Sequence, residues 1–571
     1  METSNEKMLN ALDLIIIGIQ NEIAAIQDSR GNPVQISGFE LVPSPSGHAI
    51  LSAAEVIDEY LPTGAMTQLT VGRQSISVEV LSNENGRLEL SLLEKLSEPI
   101  ALAVELQVPR PNFLEPTLTY LTGLRQDMAT GQAAKSAASV GLSILGPMYS
   151  SAFSSRNIEF VIGPPGSGKT HSLVDHVIHR TKAGATVLIV AYSNSVTDSL
   201  FERIVTHHRL APKTSVVRYG LTRNALDVAA KSGKSYVQAT KDLSDVESAK
   251  ILITTSHRMA ILAGLGIQKF DEVIIDEASS MPISLALVSS LHARSQVRVY
   301  GDPFQLGPVS MSTTESNELQ SFPYGTSALD APKVPEMLID GSTGTILRAQ
   351  HRVPPQISRV AFPPLYSQSR AGSEFELDSV TSPWGSGSLI YLDTSRFNAV
   401  EEKRGSSRGN NVNVAIVVEA VRSLLEQGFI DSDDPSIDLQ VITPYRAQRA
   451  AIREALVKTE WISPDQAALM VSTIHQAQGR EMDYVVIDTV AVLRPNDSTS
   501  TLGRLWDGAG WRSQGARLLN VALTRARKQA LVILHRDSLA KPYDVEGHST
   551  IALARLNGLL DTHATVSDLL L

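Results

Sequence analysis

A glycine-rich loop that ends in a lysine and a threonine is the stretch of this sequence best suited to chemistry. It reads GPPGSGKT over residues 163–170, after an apolar run at 158–162 and before a predicted helix at 170–183. A strand, a glycine loop and a helix in this order are the setting of a phosphate-binding loop. The plainer alternative is a Gly/Pro turn with a chance lysine, and the flanking strand and helix favour nucleotide binding over it.

Different residues of this loop are expected to contact different parts of a nucleotide. Three glycines let the backbone fold tightly, so that its N–H groups can surround phosphate oxygens: Gly163, Gly166 and Gly168. The N-terminus of the following helix adds a partial positive charge at the same place. We expect Lys169 to reach the β- and γ-phosphates and the Thr170 hydroxyl to help hold Mg²⁺.

Two adjacent carboxylates end a second apolar strand. Asp276 and Glu277 follow the run VII at 273–275. Exposed acidic pairs are common, but a pair at the end of a strand, downstream of a phosphate-binding loop, indicates phosphoryl transfer to water. We expect Asp276 to join the Mg²⁺ shell and Glu277 to orient and deprotonate the attacking water.

A glutamine follows the next strand. The predicted strand at 296–300 continues into the loop GDPFQLGPV at 301–309, which contains Gln305. Its carboxamide can hydrogen-bond the γ-phosphate or the water and so report hydrolysis to the rest of the domain. A solvated glutamine in a Gly/Pro loop is the alternative.

The elements around these residues indicate an α/β fold. Apolar strands at 185–191 and 251–255 read as buried parallel strands. Ser193 and Asn194 follow the first of them, where ligands bind in open α/β sheets, although they could also cap the next helix. Residues 203–247 are predicted to be a small insertion.

The N-terminal region has a different pattern. Apolar residues at helical spacing predict a helix at 7–27, and short alternating runs at 34–108 predict a small β-barrel. We therefore divide the chain into an N-terminal module at 1–112, a first nucleotide-binding domain at 113–335 and a second domain at 336–571. Residues 366–412 are a Ser/Gly/Arg-rich insertion around a strand at 389–392, either solvated or facing nucleic acid.

Composition limits the class of protein. A net charge of −10 over 571 residues provides no global basic field, so nucleic acid would have to bind in a locally basic channel. The absence of cysteine excludes disulfides and cysteine-bound zinc or iron–sulfur centres, and it favours an intracellular, cytoplasmic location. The apolar patch at 14–19 is too short to span a bilayer, so we expect neither a signal peptide nor a membrane anchor.

Five further segments resemble the ordered motifs of superfamily 1 helicases, most closely the up-frameshift (nonsense-mediated decay) and nidovirus branch. The loop at 301–309 resembles motif III of that family. The others are LRAQHRVPPQI at 347–357, ITPYRAQ at 442–448, VSTIHQAQGREMD at 471–483 and LNVALTRAR at 519–527. The resemblance covers residues 158–535, and it implies an ATP-dependent helicase with two tandem RecA-like domains.

The resemblance assigns further roles around the nucleotide. ATP would lie between the two domains, with Arg352 and Arg525 of the second domain acting as arginine fingers on the γ-phosphate. Glu481 matches the residue that touches the ribose. His351 stands where many relatives carry an aromatic residue against adenine, so the base preference is open.

The resemblance also implies single-stranded RNA or DNA on the face opposite ATP, with movement in the 5′→3′ direction. Contacts of this kind are mostly to backbone and sugar and tolerate any sequence. The residues carried over are Ser193, Asn194, Thr255, Pro444, Tyr445, Thr473 and His475. Tyr445 could equally be packed beneath its own loop.

The chain departs from the family in two places. The glutamine-centred adenine motif has no clean counterpart, since Gln132 lies too far upstream of the loop, and the Cys/His zinc domain of some relatives is absent, so no structural zinc is expected. A nucleic-acid-stimulated ATPase clamp that does not separate strands would use the same motifs and remains the alternative. A metabolic P-loop kinase would leave Arg352 and Arg525 unexplained.

Overall fold

The computed structural model describes most of the two nucleotide-binding regions and parts of the N-terminal module. The described residues are 4–28, 34–37, 39–43, 49–53, 66–71, 74–84, 87–92, 103–106, 114–130, 137–146, 157–308, 310, 324–330, 344–362, 366, 370–371, 380–405, 407–477, 479–492, 513–539, 552–567 and 569. The predicted boundary at 112, Gln132 and part of the 366–412 segment lie outside them.

The chain forms two compact units. The first comprises Met1–Gly163, Lys169–Pro303 and Gly307–Leu347, and the second comprises Pro164–Gly168, Phe304–Leu306 and Arg348–Leu571. The tips of the glycine loop and of the 301–309 loop are therefore grouped with the second unit. The domain boundaries taken from the sequence stay predictions.

The first unit opens with the predicted helix, which is α1 (Ser4–Asp28). Its residues Glu6–Ile26 are long and apolar enough to cross a membrane by length and composition, which the short patch at 14–19 did not indicate. In the structure α1 packs against α2 (Leu114–Thr130), and Arg125 pairs with Asp13 at 2.8 Å. Leu12, Ile15 and Ile19 are buried, as in a helix that packs on a core.

The short strands predicted at 34–108 form a seven-stranded antiparallel sheet with the order β1-β7-β4-β5-β6-β3-β2. No hydrogen bonds join the edge strands β1 and β2 within the described residues, so closure into a barrel stays a prediction. The strands are β1 (Val34–Ser37), β2 (Phe39–Pro43), β3 (Ala49–Ala53), β4 (Met66–Val71), β5 (Gln74–Glu84), β6 (Arg87–Leu92) and β7 (Ala103–Leu106).

The centre of the first unit is an eight-stranded parallel sheet with the order β11-β10-β12-β9-β13-β14-β8-β15. Its apolar strands are buried, as expected for a parallel sheet covered by helices. The strands are β8 (Ile158–Ile162), β9 (Val187–Ala191), β10 (Val216–Tyr219), β11 (Val237–Thr240), β12 (Ile251–Thr255), β13 (Phe270–Ile275), β14 (Ala293–Gly301) and β15 (Gly344–Ile346).

The segment at 203–247, predicted to be a small insertion, contributes two strands to this sheet. β10 pairs with β12 and β11 pairs with β10, both in parallel, so the segment extends the main sheet. Its strands have only four residues each, too few to show a clear period in the sequence. The helices of this unit are α3 (Ala137–Leu142), α4 (Lys169–Lys182), α5 (Asn194–Val205), α6 (Arg223–Ser232), α7 (Leu243–Ser248), α8 (Ser256–Gly264) and α9 (Ile283–Ser290).

The second unit has its own six-stranded parallel sheet, with the order β24-β23-β25-β26-β20-β27. The strand predicted at 389–392 is confirmed as β20. The sheet strands are β20 (Leu389–Asp393), β23 (Leu439–Thr443), β24 (Val471–Thr473), β25 (Met482–Asp488), β26 (Ala526–Leu534) and β27 (Thr565–Val566). Outside it lie the short strands β16 (Ala349–Gln350), β17 (Arg370–Ala371), β18 (Thr381–Ser382), β19 (Gly385–Ser386), β21 (Glu402–Arg404) and β22 (Ser407–Gly409).

The helices of the second unit flank this sheet, and with the first unit they confirm the α/β class. Trp384, which is fully buried, lies in its core with Ile390 and Leu531. The helices are α10 (Pro355–Ala361), α11 (Asn411–Glu426), α12 (Arg446–Val457), α13 (Pro464–Met470), α14 (Gln514–Leu523), α15 (Arg536–Leu539) and α16 (Ala552–His563).

A buried carboxylate ties three elements of the first unit together. The side chain of Glu272, in β13, has no exposed surface. It bonds His176 at 2.7 Å and Arg180 at 2.8 Å, both on α4, and Arg298 of β14 at 3.1 Å. Burial raises the pKa of Glu272, but the hydrogen bonds and charges of these partners outweigh it, so the pKa lies below its ordinary value.

We expect Glu272→Gln to lower the free energy of unfolding by about 2 kcal/mol at neutral pH, because it removes the charge that its cationic partners compensate. Since the folded-state pKa is lowered, the contribution is present above the unfolded pKa of about 4.3 and is lost as the pH falls through the folded value. Urea titrations at neutral and acidic pH measure both effects. The control, Glu202→Gln, changes an exposed residue, and an equal loss in the control would contradict the prediction.

Candidate functional site

The glycine loop has the backbone that a phosphate-binding turn needs. Gly166 and Gly168 have φ angles of 79° and 84°, in the left-handed region that favours glycine. The N–H of Ser167 donates to the carbonyl of Pro164 over 3.2 Å and closes the turn. The Ser167 hydroxyl oxygen is buried and has no hydrogen-bond partner in the described residues. The loop is therefore preformed.

Lys169 opens α4, and the two carboxylates follow β13 of the first unit. Lys169 is 9% exposed, and its Nζ donates to the Gly163 carbonyl over 2.7 Å. Asp276, directly after β13, is 3% exposed. Burial and the neighbouring Glu277 raise the pKa of Asp276 to about 7, although the charge of Lys169 opposes them. The three charged groups thus interact at one edge of the sheet.

Glu277 is held in a rare backbone conformation. Its φ angle is 49°, which non-glycine residues seldom adopt and which often marks functional positions. One carboxylate oxygen, Oε2, is buried without a hydrogen-bond partner in the part of the chain that the structure describes. The next residue is anchored, since Ala278 N donates to Tyr300 O over 3.0 Å. A carboxylate with one unused oxygen can accept a proton or a hydrogen bond from a ligand.

Gln350 is a candidate residue that the sequence analysis missed. It is 2% exposed, and its Nε2 donates to the carbonyl of Pro165 over 2.8 Å. Its Oε1 accepts from the N–H groups of Arg352 and Val353, each over 2.9 Å. A Cβ on Gly166 would lie 2.3 Å from this Oε1. Gln350 therefore joins the tip of the glycine loop to the 347–357 segment. Its place in that motif was the only signal in the sequence.

The other predicted nucleotide contacts of that segment lie beside Gln350. His351 is exposed, and its N–H donates to the Gly166 carbonyl over 2.9 Å. Arg352 forms an ion pair with Glu481, which the sequence analysis treated as a separate ribose contact. The Nε of Arg352 is buried and has no hydrogen-bond partner among the described residues. The Glu481 carboxylate therefore compensates the positive charge of the Arg352 guanidinium.

Arg525 and Gln305 are both buried in the second unit. Arg525 is 3% exposed and donates to the carbonyls of Val521, over 2.9 Å, and Arg480, over 3.2 Å. Gln305 is 4% exposed. The adjacent carbonyl of Phe304 accepts from Nδ2 of Asn520 over 3.0 Å, so the 301–309 loop is held by the 519–527 motif. The placement of both arginines against the nucleotide stays a prediction.

The strand-end residues expected to contact nucleic acid differ in accessibility. In the first unit, Ser193 is half-buried and caps α5, whereas Asn194 and Thr255 are 2% and 0% exposed. The Asn194 oxygen is bound by Arg218, and the Thr255 hydroxyl caps α8. Both side chains therefore have partners inside the domain, and the contacts of Asn194 and Thr255 with nucleic acid stay predictions.

In the second unit, the corresponding residues follow the adjacent strands β23 and β24. Pro444 and Thr473 are half-buried and His475 is exposed. The hydroxyl of Tyr445 is buried without a partner in the described residues, and burial raises the pKa of Tyr445. The alternative in which Tyr445 packs beneath its loop fits this geometry better than a direct contact.

Known protein families match two separate regions of the chain. Two family models, both described as AAA domain, match residues 146–245 and 336–537. The chain is 24% identical to the DNA replication ATP-dependent helicase/nuclease JHS1 of Arabidopsis thaliana, over 68% of this chain and 28% of that protein. It is 27% identical to the regulator of nonsense transcripts 1 homolog of the same species, over 67% and 32%. It is 29% identical to the RNA helicase Mov10l1 of Mus musculus, over 66% and 32%.

The chain spans about a third, or less, of the length of these relatives. The crystal structure of Arterivirus nonstructural protein 10 (helicase) aligns with 95% of this chain and 82% of that one, at 14% identity and a TM-score of 0.41. The two parallel sheets carry the motif series in order. With the family and sequence matches, they support the resemblance to the up-frameshift-like branch of the superfamily 1 helicases, with two tandem RecA-like domains.

Proposed function

We propose that this protein is an ATP-dependent helicase that moves along single-stranded nucleic acid and separates duplexes. The observation that carries the proposal is the cluster of Lys169, Asp276 and Glu277 at one edge of the first sheet, next to a preformed glycine loop. A lysine, a buried carboxylate and a carboxylate with a free oxygen are the groups that triphosphate hydrolysis uses. Strand-end segments in both units supply the proposed surface for nucleic acid.

ATP with Mg²⁺ is the proposed cofactor, and the residues at the site suit it. Asp276 and Thr170 provide oxygen atoms, the ligands that Mg²⁺ prefers. The raised pKa of Asp276 reflects an adjacent carboxylate and burial, and a divalent cation would compensate that negative charge. When bound, Mg²⁺ would neutralise charge on the phosphate oxygens. The N–H groups of the glycine loop and Lys169 would hold the phosphates.

Glu277 is the proposed general base. Its buried Oε2 is free of protein hydrogen bonds within the described residues, so it can accept one from a water molecule. The left-handed backbone at this residue fixes the direction of the side chain. The carboxylate would orient the water and take its proton as the oxygen attacks the γ-phosphorus. Gln305 would hydrogen-bond the γ-phosphate or that water.

The two arginines of the second unit are the proposed arginine fingers. The negative charge that develops on the γ-phosphate oxygens would attract the guanidinium groups of Arg352 and Arg525, an effect of about 10³–10⁵ in rate in related systems. The buried Nε of Arg352 supports the role, since this donor has no partner among the described atoms.

The proposed substrate is the backbone of single-stranded RNA or DNA, followed in the 5′→3′ direction. The half-buried Ser193, Pro444 and Thr473, with the exposed His475, can meet phosphates and sugars without reading bases. The names of two relatives point to different substrates, DNA replication for one and RNA for the other. A clamp that hydrolyses ATP on single strands without unwinding them is the second candidate, because it needs the same site.

A strand-displacement assay tests the proposal. We expect the purified chain with ATP and Mg²⁺ to release the labelled strand from duplexes with a 5′ single-stranded tail and not from those with a 3′ tail. RNA and DNA versions of each duplex identify the substrate. ATPase activity stimulated by single strands, without displacement of any of the four duplexes, would select the clamp instead.

We expect Glu277→Gln to bind ATP with unchanged affinity and to lose steady-state hydrolysis by about 10²–10⁴-fold, since the amide cannot take the proton from water. Equilibrium binding of a fluorescent ATP analogue and a phosphate-release assay separate the two effects. Glu247→Gln is the matched control, because Glu247 is exposed and outside the site. Normal turnover by Glu277→Gln would show that another group is the base.

We expect Gln350→Ala to raise the KM for ATP about tenfold, because the glycine loop loses the side chain that holds Pro165 and orders residues 352–353. Steady-state ATPase measurements over a range of ATP concentrations test this. Gln427→Ala changes an exposed glutamine at the end of α11 and serves as the control. An unchanged KM in Gln350→Ala would mean that the loop keeps its shape without Gln350.

A further inference from the structure

A salt bridge shielded from water lies beside the strand-end turn of the first unit. Arg218, in β10, has no exposed surface, and Asp198, in α5, is 5% exposed. The Nε of Arg218 donates to Oδ1 of Asp198 over 2.9 Å. Burial lowers the pKa of Arg218, Asp198 opposes this, and the nearby cation Arg258 lowers it further. Replacing buried ion pairs with apolar side chains is often neutral or stabilising, so the pair calls for a reason besides stability.

Arg218 and Asp198 together connect three elements, β10, α5 and α6. Its Nη2 donates to the side-chain oxygen of Asn194 over 2.6 Å, and its Nη1 donates to the carbonyl of Tyr219 over 2.6 Å. The second oxygen of Asp198 accepts from the hydroxyl of Thr222 over 2.6 Å, and Thr222 caps α6. Asn194 and Asp198 are four residues apart on α5 and therefore lie on one face of it. The planar guanidinium thus fixes the first turns of α5 against β10 and α6.

The bond from Arg218 also sets the direction of the Asn194 carboxamide. Since its oxygen accepts from Arg218, its Nδ2 points away from the guanidinium. This nitrogen is buried and has no hydrogen-bond partner within the part of the chain described. Asn194 is the first residue of α5, directly after Ser193 in the turn that the proposed function places against the nucleic-acid backbone. Arg218 therefore fixes the direction of a buried donor at the turn that the proposed function assigns to the nucleic-acid path.

The chain after β10 is shaped to admit two guanidinium groups. Gly220 has a φ angle of 117°, and a Cβ there would lie 2.7 Å from Nε of Arg258 and 2.9 Å from Nη1 of Arg218. Only glycine can adopt this backbone at such a close approach. The position of Arg218 is therefore fixed from the backbone side as well as from Asp198 and Asn194.

We propose that Arg218 is a positioning residue for nucleic-acid binding. It does not touch the strand; by holding Asp198 and the oxygen of Asn194, it fixes the turn at Ser193–Asn194 in the shape that binds the sugar–phosphate backbone. The inference rests on the proposed function, since it assigns this turn to the nucleic-acid path. It adds a residue of β10, in the segment that the sequence analysis treated as an insertion.

The test measures nucleic-acid affinity separately from catalysis in the full chain. Arg218→Met keeps the length of the side chain and removes its donors. We expect the Kd for a fluorescein-labelled oligouridylate or oligodeoxythymidylate to rise about tenfold. The KM for the same oligonucleotide in stimulated ATPase assays should rise in parallel, while kcat at saturation stays near the wild-type value. Arg298→Met is the matched control: it removes an arginine from the ion pairs with Glu159 and Glu272 and should lower stability without raising this Kd.

A double-mutant cycle with Asn194→Ala distinguishes positioning from general damage. If Arg218 acts through Asn194, adding Arg218→Met to Asn194→Ala should weaken oligonucleotide binding little further. The proposal would be overturned if the losses of oligonucleotide affinity in the two single variants multiplied in the double variant. A wild-type Kd in Arg218→Met would overturn it as well. Should Arg218→Met fail to fold because it leaves Asp198 alone, the variant R218M/D198L removes both charges, and wild-type affinity in that folded variant would overturn the proposal equally.

The same measurements separate this inference from the proposed function. A wild-type chain that binds neither oligonucleotide, and whose ATPase neither stimulates, would contradict the helicase and clamp proposals alike. A wild-type chain that binds and is stimulated, together with an Arg218→Met variant that behaves identically, would remove only the role of Arg218.

Discussion

Two carboxylates stand side by side at the end of one strand, where burial makes negative charge costly. Asp276 is almost completely buried, Glu277 keeps one oxygen without a protein partner in the described residues, and Lys169 is the nearby positive charge. The surrounding structure serves this arrangement: the parallel sheet brings the glycine loop and the acidic pair to one edge, and the strained backbone at Glu277 holds its carboxylate in place. A ligand that brings a metal cation and a hydrogen-bond donor lowers the free-energy cost of burying these carboxylates. A nucleotide with its metal ion therefore suits the site.

Buried polar side chains carry much of the organisation beyond this edge. Gln350 joins the tip of the glycine loop to the segment after it, Asn520 holds the Phe304 carbonyl, and Arg218 holds Asn194 and Asp198. In each case an amide or guanidinium with several donors or acceptors connects segments that are distant in sequence. Such contacts specify one arrangement of loops, since a partly satisfied buried polar group costs more than a fully satisfied one.

The sequence predicted the parts of the fold and site that depend on local pattern. The strand before the glycine loop, the glycines at positive φ and the acidic pair at a strand end could all be read from residue type and spacing. The small strands at 216–219 and 237–240 could not, because four residues give too short a pattern and only pairing with β12 makes them part of the sheet. The inward orientation of Asn194 and the role of Gln350 depend on partners far away in the chain, which no local pattern reveals.

Under the proposed function, a ligand must break the ion pair between Arg352 and Glu481 in order to bind both residues. A nucleotide would have to separate these two side chains, so that Arg352 could contact the terminal phosphate and Glu481 could contact the ribose. Free phosphate offers a substitute partner only to the arginine, and a nucleoside offers one only to the glutamate. A whole nucleoside triphosphate offers a partner to both side chains at once. The ion pair would therefore disfavour the binding of phosphate or nucleoside alone relative to the binding of the intact triphosphate.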